Sequence, residues 1–331
     1  MDDRNRVLTV IVAAIFVIAG LVVAQNCYSH DEDDDWTVGV MWRTDQSSES
    51  YVYTCRAIEA AGGSVVKVGQ IFFDDLEYDG NGKLVSGINE IGYLDQETAD
   101  KVQGADWHRS NIEEALAGVD FVVFPGGDDI SPSLYKIPQE WVDSGEDRAF
   151  DPERDVSDYL AMKYCLEKDI PLVGICRGMQ FLSVVSGAEM AQDIPTYFRE
   201  HSSDDGDAHR NPLPSQGGYR DYSSHDVVLE AGSCIHGIMG KELLTGCPSW
   251  HHQAVLNVDG TSLKVTGYTE TDGIRIIESV ERTDKTCAFG VQYHPEAAVC
   301  KILDDLPNKG DYMSYEDAMR LFEWIVDYRR S

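Results

Sequence analysis

The sequence predicts an α/β fold, an α/β/α sandwich in which helices cover a mainly parallel sheet. Two observations carry that expectation: strand-like and helix-spaced segments alternate from Thr37 onward, and the strands are short and apolar, as strands buried between helical layers must be. Size agrees, because 331 residues with 43% hydrophobic content can bury a full core. One domain of about 300 residues behind a short leading segment fits that length.

The chain opens on Val7–Ala24 (VLTVIVAAIFVIAGLVVA), an uncharged run in which only Thr9 is polar. It is just long enough to span a bilayer as a helix. Arg4 and Arg6 precede it and Asp31–Asp35 (DEDDD) follows, which orients the amino end inside and the remainder outside. The expected organisation is therefore a membrane anchor within residues 1–30, an acidic linker at 31–36, and a globular domain at 37–331 outside the cytoplasm. A signal peptide cleaved near Ala24 is the competing reading, and it would leave the domain secreted.

Thr37–Met41 reads as the first strand, Ser50–Ala61 as a helix ended by Gly62-Gly63, and Ser64–Val68 as a second strand. Gly69–Ser110 is irregular and rich in Asp, Gly and Asn, with a hairpin turn expected over Tyr78–Leu84; a segment this long suggests a binding element or lid. Asn111–Ala117 reads as a helix, Val119–Phe124 as a strand, Arg154–Lys168 as a helix and Pro171–Ile175 as a buried strand followed by another helix. Gln192–Tyr222 reads as a long loop because Pro and Gly break it. Strands are then expected at Asp226–Leu229, Ser262–Tyr268, Ile274–Ser279 and Cys287–Gln292, and an amphipathic helix at Ser314–Tyr328.

Charge narrows the function classes. With 27 Lys and Arg against 58 Asp and Glu, the formal charge is −31, and a polyanion such as nucleic acid would be repelled. The 8 cysteines form no C-x-x-C pair, so neither a zinc ribbon nor a thioredoxin-like motif is indicated. Cys234 with Cys247 and Cys287 with Cys300 are the closest pairs in sequence, but spacing does not fix connectivity, and buried free thiols fit equally.

The segment richest in chemistry is Gly174-Ile175-Cys176-Arg177-Gly178, a cysteine between glycines after an apolar strand and ahead of a helix. This is the G-x-nucleophile-x-G elbow with Cys for Ser. The helix that starts there aims its positive end at the sulfur and favours the thiolate. A buried structural cysteine between turn glycines would look similar. A thiolate nucleophile also needs a proton donor for the leaving group, usually a His held by a carboxylate. Gly290-Val291-Gln292-Tyr293-His294-Pro295-Glu296 supplies both at the end of a strand, although His-Pro-Glu alone also suits an ordinary loop histidine.

With these motifs the chain resembles the class I glutamine amidotransferase-like family, which has a flavodoxin-like fold, and within it the γ-glutamyl-γ-aminobutyrate hydrolase group, peptidase C26. Four segments carry the resemblance, which spans about residues 37–328: FPGGDDISPSLY from Phe124, GICRGMQFLSVVSGAEMAQDI from Gly174, HHQAV from His251 and GVQYHPE from Gly290. It implies that Cys176 is the nucleophile, that His294 is the general acid/base and that Glu296 orients His294. It further implies an oxyanion held by the backbone N–H groups of Gly127 and Arg177, with the Arg177 side chain available to seat a carboxylate. His252 and Gln253 become substrate-side candidates. Metal binding by the adjacent His251 and His252 is not expected, since neighbours in a strand point to opposite faces.

The expected reaction is hydrolysis of the γ-glutamyl amide of a small compound through a thioester, with no metal or organic cofactor. The expected partners are the small γ-glutamyl substrate and the membrane, with a homodimer compatible. A glutaminase feeding ammonia to a synthetase, or a catalytically idle binding protein of the same fold, are the alternatives. The departures from the family concern substrate-side positions: Ser183 and Ser249 stand where relatives often carry Asn, Arg275-Ile276-Ile277 stand where a Glu is usual, and Gly69–Ser110 is longer than its counterpart. That segment is expected to be a mobile cover over Cys176.

Overall fold

A computed structural model describes residues 36–142, 149–201, 203, 209–211 and 221–328. The unit from Thr37 onward is described by itself. Its first half runs β1 (Thr37–Val40), α1 (Glu49–Ala60), β2 (Ser64–Lys67), α2 (Gln96–Gln103), α3 (Ile112–Ala115), β3 (Phe121–Phe124), α4 (Pro152–Lys168), β4 (Leu172–Ile175) and α5 (Arg177–Val185). Then follow β5 (Glu189–Ala191), α6 (Ile194–Glu200), β6 (Ser223–Leu229), α7 (Cys234–Met239), β7 (Leu243–Ser249), β8 (Ala254–Asn257), β9 (Leu263–Thr271), β10 (Ile274–Arg282), β11 (Ala288–Val291), α8 (Pro295–Leu303) and α9 (Tyr315–Asp327).

Among the described residues these strands form one mixed sheet, with the order β2-β1-β3-β4-β11-β10-β9-β6-β7, while β8 pairs with β5 and β10. The segment from β2 to β11 is parallel, and from β11 onward the pairings are antiparallel. The parallel strands β3, β4 and β11 are buried along their whole length, which is why their sequences FVVF, LVGI and AFGV are apolar without alternation. The fold is the flavodoxin-like α/β fold that the sequence predicts.

Three local readings are corrected. Gln192–Tyr222 is not all loop: α6 lies within it, because Asp193 caps the helix by accepting from Thr196 N at 2.9 Å and Pro195 sits in the first turn, where its missing N–H costs nothing. β7 was hidden by Gly246 and Pro248, yet it ends the strand order, and an edge strand tolerates proline. Gly69–Ser110 is not a cover over Cys176. It contains the expected Tyr78–Leu84 pairing and the whole of α2, and it buries Ile71, Phe73, Leu94, Val102 and Trp107 in the main core. Glu153 of α4 accepts hydrogen bonds from Lys83 Nζ and Leu84 N, both at 2.9 Å, and Trp107 Nε1 donates to Glu167 at 2.7 Å. Phe73, Tyr93 and Trp107 are buried, so the segment is a fixed part of the layer around α4.

The membrane reading is also corrected. Among the described residues no helix is long and apolar enough to cross a membrane. Val7–Ala24, on which the anchor, the membrane partner and the location outside the cytoplasm rested, lies outside the described residues. The described cysteines Cys55, Cys165, Cys176, Cys234, Cys247, Cys287 and Cys300 are free, so neither sequence-adjacent pair is a disulfide.

Candidate active site

The sheet register builds the site. Phe124 pairs with Gly174, and Gly174 with Gly290, so three adjacent parallel strands end side by side and release Gly126-Gly127, Cys176 and His294 at one edge of the sheet. Ligands of open α/β sheets bind at this carboxyl edge.

Cys176 joins β4 to α5 with φ of 50° and ψ of −106°, a left-handed conformation that costs a non-glycine residue energy and is kept only where the surroundings impose it. Here Cys176 N donates to Val291 O at 2.8 Å, and Gly178 packs so closely that a Cβ there would lie 2.1 Å from Phe124 O. The elbow therefore needs glycine at 178 for close approach. Cys176 Sγ lies 4.0 Å from Trp250 O.

His294 Nδ1 is 2.6 Å from Glu296 Oε1, and both side chains are buried. Pro295 starts α8 directly after His294, which puts Glu296 in the first turn and folds its carboxylate back onto the ring. The Tyr222 ring packs edge-on against the imidazole at 5.1 Å. His294 Nε2 makes no hydrogen bond of ordinary geometry, yet it lies within electrostatic reach of Cys176. Burial would lower the His294 pKa, but the charges of Cys176 and then Glu296 outweigh it and hold the imidazole up at about 10. An imidazolium at His294 is the state this arrangement favours.

The loop that carries Gly127 is fixed by charges buried beneath it. Arg154 of α4 donates to Pro125 O at 2.7 Å and Gly126 O at 3.0 Å, and its Nε donates to Asp158 at 3.2 Å. A Cβ on Gly127 would meet Arg154 Nη1 at 1.9 Å, so that position too must be glycine. Arg177 pairs with Asp155 at 2.6 Å and with Asp158, and Asp155 also accepts from Ser131 N at 3.1 Å. Burial pushes the Asp155 carboxyl up to about 7 against the pull of Arg177 and Ser131. One helix thus holds both segments whose backbone N–H groups the family resemblance assigns to the oxyanion. The Arg177 side chain is only 1% exposed and committed to these aspartates, so it does not seat a substrate carboxylate.

A cavity of about 500 Å³ opens at this edge. Cys176, His294, Gly127, His252 and Gln253 line it together, and so do Arg43, Arg210 and Lys301 with Glu49, Asp128, Asp129 and Asp221. None of residues 69–110 lines it. Gln253 uses its side chain on the main chain of Ile130, accepting from Ile130 N at 2.9 Å, so it braces the loop after Gly127. His252 Nε2 is 2.8 Å from Asp129 and its Nδ1 3.4 Å from Asp193; these carboxylates overcome burial and raise its pKa to about 9. His251 turns the other way, toward His209, His225 and Glu278.

Sequence reasoning missed Arg43, Lys301 and the Arg154–Asp155–Asp158 cluster. The signal for the cluster was the i, i+4 spacing of Arg154 and Asp158 within a helix whose flanks are apolar, a pattern that surface helices share. Arg43 and Lys301 carried no local signal. They reach the cavity as ion pairs, Arg43 with Asp128 at 3.2 Å and Lys301 with Asp221 at 2.7 Å.

The peptidase C26 family model matches residues 104–296. The chain belongs to the peptidase C26 family. It is 32% identical over 225 residues, 57% of this chain and 75% of the other, to a protein of Rickettsia prowazekii named as glutamine amidotransferase-like. It is 30% identical to the protein NtpR of Enterococcus hirae, over 63% of this chain and 83% of that one. Against the gamma-glutamyl-gamma-aminobutyrate hydrolase of Escherichia coli K12 the identity is 28%, over 56% of this chain and 68% of that one. Membership places this C26 chain among glutamine amidotransferase-like hydrolases that act on C–N bonds.

Proposed function

We propose that this C26 chain hydrolyses the γ-glutamyl amide bond of a small compound, with Cys176 as nucleophile, His294 as general acid and base, and Glu296 orienting His294. The observation that carries this reading is the strained Cys176 elbow lining one cavity with His294, whose ring the buried Glu296 holds.

The Cys176 thiolate attacks the γ-carbonyl carbon and places negative charge on its oxygen. Gly127 and Arg177 offer backbone N–H groups to that oxygen, and the buried α4 network spares them reorganisation as charge develops. Protonated His294 gives its proton to the departing amine as the C–N bond breaks, leaving a thioester. Water then attacks the thioester as His294 takes a proton from it, which releases glutamate and restores the pair.

The cavity chemistry supports a glutamyl head group. Such a group carries an ammonium and a carboxylate on its α-carbon, and the lining supplies both signs, with Asp128, Asp129 and Glu49 set against Arg43, Arg210 and Lys301. Release of p-nitroaniline from γ-glutamyl-p-nitroanilide, compared with its α-glutamyl isomer, tests the reading. Preferential turnover of the γ-isomer is expected; no turnover of either, in folded protein, would reject it.

A further inference from the structure

Behind the cavity wall, His209, His225 of β6, His251 and Glu278 of β10 bring four donor atoms within 4.8 Å of one another. Glu278 Oε1 lies 3.3 Å from His209 Nδ1, 3.6 Å from His225 Nε2 and 3.6 Å from His251 Nε2. A zinc ion with bonds of about 2.0–2.1 Å to imidazole and carboxylate has tetrahedral edges of roughly 3.3–3.5 Å. The three separations from Glu278 are close to such edges, and the histidine donors stand within 4.8 Å of one another, near enough to close on one ion. We infer that these four residues form a structural zinc site.

The tautomers point the same way. His251 Nδ1 is 2.9 Å from Gln253 O, and because a carbonyl can only accept, Nδ1 carries the hydrogen and leaves an Nε2 lone pair facing the cluster. His225 Nδ1 meets Asp226 O at 3.5 Å with the same consequence. His225 Nε2, His251 Nε2 and both Glu278 oxygens are buried and make no hydrogen bond of ordinary geometry. Lone pairs and a carboxylate gathered out of water need a cation between them.

Donor type selects among cations. Three imidazoles and one carboxylate suit zinc, whereas calcium and magnesium demand oxygen shells. Four protein ligands leave no open position, so the ion would be a strut rather than a reagent. It would tie β6 and β10 to the turn at 249–253 and to the segment at His209, whose carbonyl oxygen accepts from His251 N at 3.0 Å and Ser249 Oγ at 2.8 Å. Trp250, His252 and Arg210 stand on that frame and line the cavity. The sequence reading weighed only His251 with His252, which do part. The partners of His251 come from strands distant in the chain.

The test is metal analysis of the full chain, purified without a histidine tag and desalted over a weak chelator. About one zinc per chain is expected, retained in Cys176→Ala and bound on the order of 10- to 100-fold more weakly in Glu278→Gln and His225→Asn. If those variants fail to fold, wild-type protein stripped of metal and refilled with cobalt(II) decides. Intense visible bands of tetrahedral cobalt without thiolate charge transfer support the site. Metal-poor wild-type protein with no cobalt spectrum, or a thiolate-to-cobalt band, overturns it; the former outcome would mean a protonated histidine cluster only.

Discussion

The Arg177 guanidinium lies 2.6 Å from Asp155 and shares Asp158 with Arg154, so the residue after the proposed nucleophile and the loop before Gly127 are fastened to one buried helix. Asp158→Ala leaves two arginines underpaired in the interior. A loss of about 3–5 kcal/mol in unfolding free energy is expected from removing one partner of a buried charge network. Urea denaturation measures it, and a loss below about 1 kcal/mol, the range of exposed ion pairs, would contradict the structural role assigned to α4.

The elbow makes a steric prediction. In Gly178→Ala the new methyl would stand 2.1 Å from the main-chain oxygen of Phe124, which cannot swing away as a side chain could. The strand or the helix must shift, at a cost of about 1–3 kcal/mol or more, and Cys176 moves with it. A thermal melt and a turnover assay on the same sample should both fall; unchanged values in both would show that the elbow has slack.

His294 supplies the pH dependence. Its folded pKa, about 10, lies above the ordinary 6.5 because of Cys176 and Glu296. The ion pair therefore stabilises the fold fully below about pH 6.5, and that contribution disappears as pH rises through about 10. Loss of the imidazolium removes the general acid, so turnover should decline on an alkaline limb near pH 10. In Cys176→Ala the first of the raising charges is gone, and NMR should find His294 titrating lower; an unchanged midpoint would mean that Cys176 does not govern it.

The segment 69–110 now predicts a stability effect in place of a specificity effect. Trp107→Ala removes a buried indole and its hydrogen bond to Glu167, at an expected cost of about 3–5 kcal/mol. Relative rates on neutral and cationic γ-glutamyl amides should keep their order. A reordering in folded protein would restore the lid reading.

What the sequence made legible was local. Cys176 declares itself by glycines two positions away on either side, and Glu296 reaches His294 within one turn, so short-range spacing encodes both. The sheet core was legible because β3, β4 and β11 are apolar without alternation. The Arg177 side chain was misread because its partners stand about twenty positions upstream on another element, and nothing near Arg177 marks them. His251 was read against its neighbour rather than against His225 and Glu278, which only the antiparallel half of the sheet brings close. The segment 69–110 suggested a lid by its length and its Asp, Gly and Asn, whereas the burial of Phe73 and Trp107 and the bonds to Glu153 and Glu167 depend on α4, far along the chain.

The central claim is that Cys176 is the nucleophile toward γ-glutamyl groups. The most direct measurement is mass spectrometry of the intact and digested protein after exposure to a glutamine-mimicking electrophile. A single adduct on Cys176 is expected, absent in Cys176→Ala and formed on the order of 10³-fold more slowly in His294→Ala. Labelling of Cys55, Cys165, Cys234, Cys247, Cys287 or Cys300 in place of Cys176, or an unmodified chain, would contradict it.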